Sequence, residues 1–168
     1  MLHPGTSLWL DVGLRIGTSV LVGAIVGINR DLHHKSIGLR TLGLVSLASC
    51  LLVLTISQFA MKQQANASDA ASRVVQGIVS GIGFLGAGVI LRGPDQLHVL
   101  GLTTAAAILV VAALGVTCGL AAWPVLILGV GATLFLLVVC RPLERAIQSA
   151  MNPHPASLPL TPPDDPPQ

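Results

Sequence analysis

Between Arg73 and Arg92 the chain places 18 residues without a charge, Val74 to Leu91, and five of them are glycine: Gly77, Gly81, Gly83, Gly86 and Gly88. In water such a glycine density undermines a helix, because each interior Gly costs ~1 kcal/mol relative to Ala. Inside a bilayer the balance differs. Backbone hydrogen bonds cannot be exchanged for water there, and small residues let neighbouring helices approach closely. The segment is therefore predicted to be a transmembrane helix built to be packed against, with a charge marking each end.

The rest of the chain agrees. Only 10% of its 168 residues are charged and 52% are hydrophobic, with a mean hydropathy of +0.80; a soluble domain carries about 25% charged residues. A helix needs ~20 apolar residues to cross the hydrocarbon. Five such spans can be drawn, at about 8–28, 42–61, 74–91, 100–120 and 123–140. The fold expected is thus an all-α membrane protein, a bundle of about five transmembrane helices over residues 1–145. The break between the last two spans is the least marked, resting on Gly119 to Pro124 without a charge. Trp9 and Trp123 fall at span starts, where an indole suits the headgroup zone. No secretory signal peptide is read, because no Lys or Arg precedes Arg15 and Asp11 interrupts the early stretch.

With the N-terminus outside, the inner side holds Arg30, Lys35, Arg40, Arg92, Arg141 and Arg145, against Lys62 and Arg73 outside. The positive-inside rule then favours N-out, C-in. Residues 152–168 contain seven of the chain's eleven prolines, a composition of extended, solvated backbone. A disordered cytoplasmic tail is expected over 146–168.

GxxxG pairs occur at Gly13–Gly17, Gly23–Gly27, Gly77–Gly81 and Gly115–Gly119. Each sets two glycines on one helical face, where another helix can come close. Helix packing is accordingly assigned to Gly77, Gly81, Gly83, Gly86, Gly88, Gly115 and Gly119. Cys50, Cys118 and Cys140 lie in apolar surroundings without metal-ligand spacing and read as small packing residues.

Polar residues gather at span ends. The stretch 29–41 combines Arg30, Asp31, His33, His34, Lys35 and Arg40. Two readings stand: a cytoplasmic site for an anion or a partner, since Arg binds phosphate bidentately, or a basic loop that only fixes topology. Asp69 and Arg73, four apart, would share a helical face. They form either a cap and interfacial anchor or an ion-pair gate at the mouth of the glycine-rich span.

Several absences narrow the chemistry. Spans two to five carry no Asp, Glu, Lys, Arg or His in their middles, and proton and cation pathways often need such groups. No all-protein magnesium cage, phosphate loop or nucleophile motif is visible. The net charge of +2, without a basic run interleaved with aromatics, gives no nucleic-acid signal. No enzyme activity, metal site or cofactor is predicted, and the expected partners are the lipid bilayer and another membrane protein or a second copy.

The blocks GAIVGINRD at 23–31, GLRT at 38–41, DAASRVVQGIVSGIGFLGAGVILR at 69–92 and GLTTAAAILVVAALGVTCG at 101–119 occur in this order. On these the chain resembles the MgtC/SapB family of bacterial membrane proteins. The resemblance implies an inner-membrane protein of about five helices, linked to growth when magnesium is scarce. In some members it extends to virulence and to inhibition of the F-type ATP synthase. It draws attention to Arg30, Asp31, Arg40, Thr41, Asp69, Arg73, Thr103 and Thr104 as functional polar residues. Two departures matter. Asn29 stands where many relatives carry Glu before the first-loop Arg, and no soluble C-terminal domain follows Arg145 here, which suggests a short, SapB-like member.

The leading expectation is a non-enzymatic regulator or adaptor linked to magnesium homeostasis, acting through helix contacts. The alternative is a channel or carrier for magnesium or another small solute. In that case exposed carbonyls of the GIGFLGAG stretch would line the path.

Overall fold

The computed structural model describes residues 4–32, 35, 37–62, 67–92 and 99–151. Five helices follow one another: α1 (Pro4–Asp31), α2 (Leu39–Lys62), α3 (Ala67–Val89), α4 (Leu102–Gly119) and α5 (Trp123–Met151). A two-residue antiparallel ladder, Leu91–Arg92 against Val99–Leu100, ties the end of α3 to the start of α4. The stretches 8–31, 39–60, 68–89 and 102–119 are long and apolar enough to cross a membrane, and the apolar part of α5, Trp123–Val139, is shorter. The expected all-α bundle is what the chain forms.

Boundaries differ from expectation at two places. The stretch 29–41 is helical at both its ends: Arg30 and Asp31 finish α1, while Arg40 and Thr41 lie in the first turn of α2. At the other end α5 continues to Met151, so residues 146–151 are helix and not tail. Ala, Gln and Met are strong helix formers, and no proline falls between Pro142 and Pro153. Residues 152–168 lie outside the described residues, as does the side chain of Cys140.

The helix in the middle of the bundle is α4, half of which is buried, whereas on α3 only Ile78, Ile82 and Gly86 are. One apolar cluster joins Val26, Leu42, Val53, Ile108 and Val111. A second joins Val22, Cys50, Leu114, Cys118 and Leu126, so Cys50 and Cys118 serve as the packing residues that the sequence suggested. Lipid tails are as apolar as these side chains, so close van der Waals fit must hold the helices together.

Glycine supplies that fit, but only in part of the chain. A Cβ on Gly23 would lie 2.6 Å from the Leu42 carbonyl oxygen, and one on Gly27 would lie 2.5 Å from Leu39 Cα. From the opposite side, a Cβ on Gly115 would meet the Ser46 oxygen at 2.3 Å, and one on Gly119 would meet Val53 Cβ at 2.8 Å. Thus α1 and α4 each press a GxxxG notch onto the backbone of α2.

The other two pairs are not used this way. No atom from elsewhere in the chain lies within 4 Å of a Cβ on Gly13, Gly17, Gly77, Gly81, Gly83 or Gly88. Within this chain, Gly77, Gly81, Gly83 and Gly88 therefore do not take the close-packing role that their spacing suggested. Helix α3 meets the bundle through Ile78, Ile82 and Gly86, the last opposite Ala105 Cβ at an ordinary 3.4 Å, and its remaining glycines lie off that face. Its helix is also unbroken from Ala67 to Val89. The carbonyls from Gly81 to Leu85 are consequently held in helical hydrogen bonds, and Ala87 O accepts the Ile90 N–H at 3.2 Å, so the stretch does not present a free cation-binding ladder.

Among the described residues, two turns carry positive φ. Gly101, at +92°, precedes α4, and a Cβ there would strike the Val89 oxygen at 2.2 Å. The weakly marked α4–α5 break is a Schellman turn, with Ala122 N–H donating to Thr117 O at 2.9 Å and Ala121 N–H to Cys118 O at 3.1 Å. Ala121 occupies the left-handed position at φ 55°, where a Cβ costs ~1 kcal/mol. Ala121→Gly should therefore raise stability in detergent by about 1 kcal/mol; an unchanged or lowered unfolding midpoint would contradict this account of the turn.

Candidate functional site

The sequence-predicted polar residues separate into two groups at opposite ends of the bundle. Arg30, Asp31, Arg40, Thr41, Thr103 and Thr104 gather where α1 ends and α2 and α4 begin. Asp69 and Arg73 lie at the start of α3, ~30 Å along its axis from that end at ~1.5 Å per residue.

At the first end Arg30 is the organising residue. Its side chain is 2% exposed. Nε donates to the Ile37 carbonyl at 3.1 Å, and Nη2 donates to Thr104 Oγ1 at 2.5 Å. A residue on the last turn of α1 thereby holds the segment before α2 and the first turn of α4. Thr104 is itself buried. Neighbouring Asp31 turns its carboxylate to α2, where Oδ2 accepts the Leu39 N–H at 2.9 Å and supplies the helix N-terminus with a side-chain acceptor. That approach needs Gly38, since a Cβ there would fall 1.4 Å from Asp31 Oδ1.

Arginine at position 30 is suited to this role because its planar fork offers donors in two directions at once. Buried between helices, however, it is not presented to a soluble anion. The anion-site reading of stretch 29–41 therefore loses its central cation. Arg40, Thr41 and Thr103 are exposed, as is Lys35, and His33 and His34 lie outside the described residues. Among the described residues no three His, Cys, Asp or Glu side chains come together as a metal-holding group.

Asp69 and Arg73 do not meet the expectation of a mutually neutralising pair. Both are exposed on the first two turns of α3, and the one salt bridge among the described residues lies elsewhere. Asp69 keeps the simpler role, a negative charge in the first turn of a helix, where the macrodipole favours it.

That salt bridge joins Arg15 Nη2 to Asp11 Oδ2 at 2.7 Å within α1. Arg15 Nη1 also donates to the Gly119 carbonyl at 3.0 Å, setting a cation on the last carbonyls of α4, where the helix dipole is negative. The two residues stand four apart in sequence and so share one helical face. The available signal was a charge pair inside an otherwise apolar span, a costly placement unless it meets a partner. The partner lies 104 residues away in sequence, and no local pattern announces it.

Five apolar helices, two polar clasps at opposite ends and a peripheral glycine-rich helix define a multi-pass α-helical membrane protein. Residues 16–146 match the MgtC family, and the chain belongs to it. It is 40% identical over 143 residues to Protein SrpB of Synechococcus elongatus, an alignment covering 82% of this chain and 79% of that protein. It is 38% identical over 107 residues to Protein MgtC of Salmonella typhimurium, covering 64% of this chain and 42% of that one. With Protein SapB of Bacillus subtilis the identity is 34% over 111 residues, 65% of this chain and 47% of that one. The chain thus spans most of SrpB but less than half of MgtC and SapB. No solved structure matches it.

Proposed function

We propose that this is a non-enzymatic adaptor of the bacterial inner membrane, N-terminus outside and C-terminus in the cytoplasm, that serves adaptation to scarce magnesium by docking a helix of another membrane protein onto α3. The magnesium link rests on membership of the MgtC family, and the orientation rests on the distribution of Lys and Arg.

One observation carries the docking role: α3 is apolar enough to span, yet only Ile78, Ile82 and Gly86 of residues 68–90 are buried. Ser80, Gly83 and Ala87 recur at helical spacing on its uncovered side. Small residues at such spacing let a second helix approach closely, and this is where association in lipid gains its energy.

The test is crosslinking and affinity capture from native membranes with wild type and Gly83→Leu. A Cβ there has no neighbour within 4 Å in this chain, so abundance should hold while recovery of a specific membrane partner is lost. Complementation of a deletion strain across magnesium concentrations should fail for the same variant. Recovery of the same partner set by both proteins, or of nothing beyond self-association, would refute the docking role.

A further inference from the structure

A groove of about 660 Å³ runs along the bundle between α2 and α3, within the ~300–1,000 Å³ typical of sites that hold small molecules. Thr41, Leu44, Ala48 and Leu52 line one wall, and Gly77 and Gly81 lie in the other. Neither glycine has a neighbour within 4 Å of where a Cβ would sit, so the missing side chains leave the groove open. Its lining includes the buried Ile78 and Ile82. Ser49 also lines it, but that hydroxyl donates to the Val45 carbonyl at 2.9 Å and leaves the wall effectively apolar.

Length and charge select the occupant. From Thr41 to Leu52 the groove extends ~16 Å along α2 at ~1.5 Å per residue. One leaflet is ~15 Å, half of the ~30 Å hydrocarbon thickness, whereas a spanning helix would need the whole of it. The groove also has one basic end. Arg40 is exposed and precedes Leu44 by four residues on the same helical face. Helical side chains tilt toward the N-terminus, so its guanidinium extends beyond the apolar lining into the headgroup region. Lys35 is exposed in the segment before α2. Asp31, the acid of this end among the described residues, already has one oxygen on the Leu39 N–H.

We propose that the α2–α3 groove is a phospholipid site selective for anionic lipid. One acyl chain lies along Ala48, Gly77 and Gly81, and the headgroup phosphate is held by the Arg40 guanidinium beside the Thr41 hydroxyl. A single apolar tail matches a one-leaflet groove, and an arginine fork matches phosphate oxygens bidentately. The inference needs only the membrane placement and not the adaptor role, since Gly83 does not line the groove.

The full chain, purified in mild detergent, is offered phosphatidylglycerol or phosphatidylcholine of identical acyl chains, and retained lipid is counted by native mass spectrometry. Wild type should retain one phosphatidylglycerol per chain, with about fivefold preference over phosphatidylcholine, the factor expected of one juxtamembrane basic residue. Arg40→Gln should equalise the two lipids, and Ala48→Phe, which fills the groove, should lose both. Should Ala48→Phe fold poorly, Gly77→Leu fills the same space from a position with room for it. Gly83→Leu should bind lipid as wild type does. Equal retention of the two lipids by wild type, an unchanged preference in Arg40→Gln, or normal retention in a filled groove would each overturn the proposal. So would a shift in oligomeric state on filling with lipid retention unchanged, which would assign the groove to a second copy.

Discussion

Gly115→Ala is expected to destabilise the bundle by about 3 kcal/mol, the upper end of the range for overpacking a well-packed interior. The added methyl would fall 2.3 Å from the Ser46 carbonyl oxygen and 3.0 Å from Ser46 Cα. Both are backbone atoms of α2, and no side-chain rotation relieves the contact. Separation of α2 from α4 is the remaining response, and it would open contacts in both apolar clusters. Gly77→Ala is the matched control. It adds the same methyl to the other GxxxG type, where nothing lies within 4 Å, and should be neutral or stabilising by up to ~1 kcal/mol through helix propensity. Unfolding in a denaturing-detergent titration measures both. Equal midpoints for the two variants would show that the α2–α4 contact is looser than its geometry.

Arg30→Met should cost about 3 kcal/mol, because it leaves two acceptors, the part-buried Ile37 carbonyl and the buried Thr104 Oγ1, without their donor at ~1–3 kcal/mol each. Arg30→Lys should recover less than half of the loss. An ammonium on a flexible stem cannot reproduce a planar fork aimed at both partners. Thr104→Val is the complementary variant, and its loss should not add fully to that of Arg30→Met, since the two share one hydrogen bond. Additive losses would place the Arg30 contribution elsewhere than at Thr104.

These two sites differ in how far the sequence announced them. Gly115 and Gly119 stand four apart in an apolar run, and their spacing correctly marked a face for close packing. That they close on α2, the helix two places earlier, was not legible, because GxxxG describes an approachable surface and not its occupant. For the same reason Gly77–Gly81 looked equivalent to Gly115–Gly119, yet no other part of the chain meets it. The five helices were readable from their apolar runs. The exchange of Arg30 from surface cation to internal clasp was not, since it depends on Ile37 and Thr104 arriving beside it. The α4–α5 break looked weak because alanine and not glycine fills the left-handed position of its turn. Arg15, 104 residues from its acceptor, shows the limit most plainly.

The grip of α1 and α4 on the backbone of α2 has a consequence for how mutations would be read in a cell. Substitutions at Gly23, Gly27, Gly115 or Gly119 strike main-chain atoms, so they should lower the amount of protein and its output together. Substitutions at the uncovered glycines of α3 strike nothing inside the chain and should leave the amount intact. A saturation scan that records abundance and growth separately would therefore divide the molecule along this line. Positions on α3 that alter growth at constant abundance would trace the outline of whatever α3 meets in the membrane.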